Sequence, residues 1–247
     1  MKKNNFKLFA VVLAILAAII IVFMVVSLVR GNSLGEMFGD LFKANGIITI
    51  VCIIAIIGGF LWLMLSPDKT SGRWQPQQLV VGALCLALAF VLSYIKLFEM
   101  PQGGCITPAS MLPIILFSYI YGYKKGLVLG FAYGILNIIQ GAYIVHWAQF
   151  ILDYLFAFTV IGLGGICRKH IAWSILISSA GRFLFAVISG VVFFAEYAGE
   201  QNALIYSIVY NASYLIPEVI ICLAITIIPA VNRMIEMLKK QYLVKNA

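Results

Sequence analysis

Eight stretches of this 247-residue chain are apolar enough to enter a lipid bilayer, and their succession constrains the fold more than any other feature. A bilayer's hydrocarbon core is about 30 Å thick, so an α-helix needs about 20 apolar residues to span it. Runs of that order lie at about 8–29, 47–65, 79–98, 147–167, 172–195 and 204–230. Two more, about 109–122 and 124–143, are separated by the basic tip Tyr123-Lys124-Lys125, and the first is short enough to lie partly behind other helices. Lipid leaves only helices or closed barrels as spanning structures. Segments alternating every second residue are absent, which argues against a barrel. The expected class is therefore an all-α polytopic membrane protein, in keeping with 63% hydrophobic and only 11% charged residues.

The formal charge of +8 is a topology signal. With the N-terminus in the cytoplasm, the cytoplasmic ends and loops hold Lys2, Lys3, Lys7, Lys69, Arg73, Lys124, Lys125, Arg168, Lys169, Arg233, Lys239, Lys240 and Lys245. The opposite side holds only Arg30, Lys43 and Lys96, beside Glu36, Asp40, Glu99, Glu196 and Glu200. This bias places both termini in the cytoplasm. No basic face of the kind that binds nucleic acid is visible. The five cysteines are scattered, without C-x-x-C spacing, and read as small core residues rather than metal ligands or disulfides. The first apolar run follows three lysines as in a signal peptide, but its length of about 22 residues favours a retained anchor.

The polar segment Ser66 to Gln78 is the one stretch that reads as a linker. It divides an N-terminal two-helix extension (1–75) from a six-helix part (76–247). No internal repeat is evident, which weakens an inverted-repeat transporter design. The inward turns of the six-helix part are short and basic. The outward ones are longer: Glu99 to Pro108 with its glycine pair and prolines, the turn Gly141 to His146, and Glu196 to Ala203. A ligand is expected to arrive on that elaborate outer side.

Asp153 lies inside an otherwise apolar helix, roughly 9 Å below its outer end. An ionisable group at that depth costs several kcal/mol in lipid and marks a site facing the protein interior. Asn137, Gln140, His146, Tyr154, Tyr206, Tyr210 and Asn211 fall toward the same side of the membrane. Tyr206 and Tyr210 are four apart and share a helix face, with Asn211 at a depth similar to that of Asp153. A carboxylate among aromatics and amides suits a small aromatic cation. Interhelical polar contacts plus an interfacial aromatic belt would account for the same tyrosines without any ligand. His146, at a helix start beside Trp147, reads more readily as a surface group than as a ligand contact.

Arg182 and Glu218 are the other buried charges, and the simplest account is a mutual ion pair joining the last two long helices. Together with Asp153 they would also equip a self-sufficient proton-coupled carrier or membrane enzyme. Ala83 and Ala87 form a small-xxx-small stripe that lets another helix approach closely, within the bundle or from a partner. No nucleotide-binding loop or hydrolase motif is present, so an ATP-driven cycle would need partner ATPases. No second acid or nucleophile accompanies Asp153, which argues against an enzyme. No cofactor or metal site is expected.

The stretches MPQGG (100–104), MLPI (111–114), GAYIVHWAQFILDYLFAF (141–158), GRFLFAVISGVVFFAEYA (181–198) and YSIVYNASYLIPE (206–218) resemble the thiamine-specific S components (ThiT type) of energy-coupling factor transporters. The resemblance runs from about Val80 to Lys239. It implies a six-helix bundle with an outward-facing thiamine pocket, and as partners one transmembrane coupling protein and two cytoplasmic ATPases. It implies pocket roles for Asp153, Tyr154, Tyr206 and Asn211, with Phe194 in the place of a stacking aromatic. It also implies that the Ala83/Ala87 stripe faces the coupling protein. The sequence departs from the family pattern at Ala186, where a ligand-contacting His is usual. That departure leaves a thiamine precursor or a related small heteroaromatic as the alternative ligand.

Overall fold

The computed structural model describes residues 74–144 and 147–245. The two expected N-terminal spans and His146 lie outside the described residues. Besides a short 3-10 turn (Ala195–Ala198), seven helices follow in chain order: α1 (Pro76–Tyr94), α2 (Leu112–Tyr121), α3 (Tyr123–Ile139), a composite run α4 (147–166), α5 (Ile171–Phe193), α6 (Ala203–Ile227) and α7 (Pro229–Lys245). Three of them, α1, α5 and α6, are long and apolar enough to cross a membrane. Six coincide with the six spans expected of this part. The seventh was not expected, because it is amphipathic rather than apolar and a search for spans passes over it.

The short helix α2 is the centre of the bundle. Nine of its ten residues are buried, Ile114, Ile115 and Tyr119 completely. Ten residues make about 15 Å of helix, half of what a lipid-exposed span requires. It survives because α1, α3, α4 and α5 surround it. The outward faces of the long helices carry the opposite pattern. On α1, Leu79, Val80, Leu84, Leu88 and Val91 are all more than half exposed, as lipid-facing residues would be.

Close backbone approach holds α3 against α4. Gly126, Gly130 and Gly134 recur every fourth residue on one face of α3. A Cβ at Gly130 would lie 2.5 Å from the Phe158 carbonyl oxygen, and one at Gly134 would fall on the Tyr154 carbonyl. Only glycine fits such contacts, in the manner of small-residue helix interfaces in membranes. They bring α3 directly onto the part of α4 that carries Asp153.

At the end opposite the Glu99 to Pro108 connection, α7 folds back beneath the bundle. Ile235 is buried there, and Tyr242 meets Tyr121 edge-on with centroids 4.8 Å apart. Lys239 donates to the Tyr119 hydroxyl (2.7 Å) and the Arg168 carbonyl (2.6 Å). At the other end the Glu99 to Pro108 connection forms a minimal antiparallel ribbon, β1 (Phe98–Glu99) with β2 (Cys105–Ile106), pairing Phe98 with Ile106 and Glu99 with Cys105. Lys96 donates to Glu99 at 2.7 Å, which holds its ammonium pKa above the usual lysine value.

Candidate ligand-binding site

Asp153 owes its position to an irregularity in α4. After one α-turn (Trp147–Phe150) the backbone widens into a π-helical turn, Ile151–Phe156, before Ala157–Thr159 and a 3-10 stretch, Val160–Ile166. The Ala157 N–H reaches back five residues to the Leu152 carbonyl. Single π turns inside α-helices are rare and are frequent at functional sites. Here the turn aims Asp153, Tyr154, Ala157 and Phe158 into one cavity.

That cavity lies between α3, α4, α5 and α6, beneath the β1–β2 connection. It has about 130 Å³ open to the centres of water molecules, far more than the ~10–15 Å³ that one water requires. The Gln149 side chain donates to Asp153 Oδ2 at 2.7 Å and to the Tyr143 carbonyl at 3.1 Å. The Tyr143 N–H in turn donates to the Tyr154 hydroxyl at 2.9 Å. No lysine or arginine pairs with Asp153 among the described residues, so the ionised carboxylate is a local excess of negative charge.

Aromatic rings surround this carboxylate. Tyr143 stacks on Phe194 with centroids 6.2 Å apart and planes 28° from parallel. Tyr206 and Tyr210 stack at 6.2 Å, and Tyr210 meets Tyr214 edge-on at 5.9 Å. The outer connection closes over them: Gln102 bonds the Tyr206 hydroxyl (3.0 Å), and the Gly104 N–H donates to the Tyr210 hydroxyl (3.2 Å). A Cβ at Gly104 would come within 2.8 Å of the Tyr214 ring, so glycine lets the connection descend this far. A recessed negative charge among π faces is an arrangement that attracts an aromatic cation.

A profile of the thiamine transporter protein family (Thia_YuaJ) matches residues 79–237. The chain belongs to this family. It is 34% identical over 165 residues to the thiamine transporter ThiT of Bacillus subtilis, a match covering 59% of this chain and 85% of that protein. It is 29% identical over 167 residues to the ThiT of Lacticaseibacillus paracasei, covering 56% and 80% respectively. The solved structure of ThiT from Listeria monocytogenes superposes with a TM-score of 0.58 at 25% identity, covering 64% of this chain and 96% of that one. The resemblance read from the sequence motifs therefore holds at the level of family and fold. Thia_YuaJ is a family of multi-pass membrane transporters and not of enzymes, which removes the reading of this chain as a self-sufficient enzyme.

Most of the residues picked out in the sequence converge on the cavity. Asn137, Asp153, Tyr154, Phe194, Tyr206, Tyr210 and Asn211 all line it. Asn211 is already committed. Its Nδ2 donates to the Ser207 carbonyl (2.8 Å) and to the Ala186 carbonyl (3.3 Å), and its Oδ1 accepts from Tyr214 (2.8 Å). Asn137 donates back to the Tyr133 carbonyl at 3.0 Å. Gln140 does not line the cavity. Sitting where α3 ends, it turns toward α1 and bonds Ser93 (2.6 Å) and the Phe90 carbonyl (3.0 Å). Ala83 and Ala87 face outward on α1, away from its buried stripe of Gln78, Gly82, Ala89 and Ser93.

Several lining residues were not anticipated in that role: Gln102, Tyr143, Gln149, Phe158, Arg182 and Tyr214. The expected Arg182–Glu218 pair is present, with Nη1 and Oε2 3.6 Å apart. Glu218 is further held by Thr107 (2.6 Å) and Ser110 (2.9 Å). Ala186 is buried and lines the cavity, leaving open the volume a larger side chain would fill.

Proposed function

We propose that this chain is the substrate-binding membrane subunit of a thiamine importer, capturing thiamine from outside and delivering it inward with the help of partner proteins. The observation that carries the reading is the unpaired Asp153 carboxylate in an aromatic cavity, in a chain of the thiamine transporter family. Thiamine joins a permanently cationic thiazolium to an aminopyrimidine. Asp153 neutralises the cation, and Phe194, Tyr154, Tyr206 and Tyr210 supply π faces. Asn211 Oδ1 keeps one lone pair for the exocyclic amine after accepting from Tyr214. Desolvation inside the cavity strengthens each of these contacts.

The N-terminus lies in the cytoplasm, as the lysine and arginine bias favours. On this topology the cavity opens outward beneath the Gln102 connection. No nucleotide-binding motif is present in the chain. In this reading transport depends, as the family resemblance implies, on a transmembrane coupling protein, meeting the Ala83/Ala87 face of α1, and on two cytoplasmic ATPases. The test is uptake of labelled thiamine into vesicles. Accumulation is expected only with coupling protein, ATPases and ATP together, whereas accumulation by the chain alone would show a self-sufficient carrier. Competition by the separate pyrimidine and thiazole halves distinguishes thiamine from a precursor as the true ligand.

A further inference from the structure

Helix α7 is attached to the bundle along one stripe and carries a second apolar face that the bundle leaves bare. Ile228 departs from helical geometry (ψ 122°), and Pro229, which has no N–H to continue the ladder, starts α7. The chain therefore turns here, and α7 is no continuation of the span α6. Val231, Ile235 and Tyr242 join the core. On the same stripe, the Tyr119 hydroxyl donates to Glu236 (2.8 Å) and accepts from Lys239 (2.7 Å). At about 100° per residue, Met234, Met237 and Leu238 fall on a second sector, roughly a quarter-turn from that stripe. They are 49%, 60% and 46% exposed. The remaining sector is polar, with Asn232, Arg233 and Lys240 all exposed.

Two observations say what covers the bare face. The first is continuity. Val209, Ile216, Ile220 and Ile227 form the exposed apolar stripe of α6, each more than half exposed as lipid-facing residues are, and with Ile228 this stripe leads in chain order into α7. The second is charge. Glu236 is the only carboxylate in α7, and Tyr119 and Lys239 already engage it. The side chains of Arg233, Lys240 and Lys169 make no hydrogen bond or ion pair with any described residue. Lys169 belongs to this end of the molecule, because its carbonyl lies 3.4 Å from the Tyr119 hydroxyl. A protein interface of ordinary size takes about 20–30 residues a side. Three apolar side chains flanked by free cations fall far short of that, but they are what a helix lying in a membrane interface uses.

We propose that α7 is an interfacial helix whose Met234, Met237 and Leu238 face enters the headgroup boundary of an anionic leaflet, with Arg233, Lys240 and Lys169 on the lipid phosphates. The partner is a lipid surface bearing negative headgroups. On the topology proposed above this end meets the cytoplasmic leaflet, whose surface potential is negative. Lipid charge then holds α7 against α2.

The test is hydrogen exchange of the α7 amides, read by mass spectrometry on the full chain in nanodiscs. One set contains phosphatidylcholine alone and the other an equal mixture with phosphatidylglycerol. Both faces of a nanodisc carry the same lipid, so the outcome does not depend on which way the chain is inserted. The α7 amides should exchange about tenfold or more slowly in the mixed lipid, the attraction expected of two or three cations near an anionic surface. High salt should abolish the slowing by screening, and so should the exposed substitutions Arg233→Gln, Lys240→Gln and Lys169→Gln together. Met237→Gln with Leu238→Gln keeps every cation and should still remove most of it. Equal exchange of wild type in the two lipids would overturn the proposal. So would protection that ignores lipid charge and arises only when coupling protein and ATPases are added, which would give the face to a protein partner. Thiamine affinity should be the same in both lipids, so the reading of the cavity stands or falls separately.

Discussion

Gln149 and Asp153 are one helical turn apart, and the amide of the first donates to the carboxylate of the second at 2.7 Å. The same nitrogen reaches the Tyr143 carbonyl, so the carboxylate is tied to the outer turn between α3 and α4. Gln149 is 2% exposed, which makes this link a protected one. Gln149→Leu should leave the fold intact and weaken thiamine binding about 10- to 100-fold, the value of one hydrogen bond to a charged group. Fluorescence titration would read it, and affinity equal to wild type would show that Asp153 needs no such orientation.

The fit of α3 on α4 gives a second prediction. Gly134 faces the Tyr154 carbonyl with no room for a side chain. Gly134→Val should separate the helices at the π turn, lower stability by about 1–3 kcal/mol as overpacking does, and abolish binding by displacing Asp153 and Tyr154. At Gly82 the nearest atom to an added Cβ is the Phe117 ring, 3.3 Å away, which can yield. Gly82→Ala is therefore the mild control in thermal unfolding. Equal effects of the two substitutions would contradict the assigned contact.

These glycines show what the sequence made legible. Gly126, Gly130 and Gly134 repeat the spacing that singled out Ala83 and Ala87, so the α3–α4 contact was readable from that pattern. Asp153 was readable because a carboxylate in an apolar run has few explanations. Tyr206, Tyr210 and Asn211 followed from helical spacing on a long regular helix. The π turn was not readable, since one extra residue in a turn leaves no mark in hydropathy. Gln140 was placed by its side of the membrane, but a residue at a helix end is free to turn toward α1. Gln149 and Tyr143 lie beside an outer helix start, where polar and aromatic residues ordinarily signal the membrane interface. Their part in the site emerges only from three-dimensional contacts.

The aromatic roof predicts kinetics. Tyr143 stacks on Phe194 and meets the Tyr197 hydroxyl at 3.4 Å, joining two outer connections over the cavity. Tyr143→Ala should speed thiamine dissociation by on the order of tenfold with a smaller change in association, because contact losses act mainly on the off-rate. Tyr197 is 43% exposed, and its replacement by Phe should change little. Stopped-flow fluorescence separates the two rates, and an effect confined to association would speak against a roof.

The outward Ala83/Ala87 face separates binding from transport. Ala83→Leu with Ala87→Leu adds bulk at two exposed positions of α1, so thiamine affinity of the isolated chain should be unchanged. Uptake with the coupling protein and ATPases should fall by about tenfold or more, as close helix approach is lost. Loss of affinity in the isolated chain would assign the stripe to internal packing instead.

The most direct measurement of the central claim is calorimetric titration of the purified chain with thiamine, wild type beside Asp153→Asn. Removing one partner from a desolvated charge pair costs several kcal/mol, so the variant should bind on the order of 100-fold more weakly or not at all, with unfolding temperature preserved. A folded Asp153→Asn variant that binds thiamine as tightly as wild type would contradict the carboxylate as the anchor of the site.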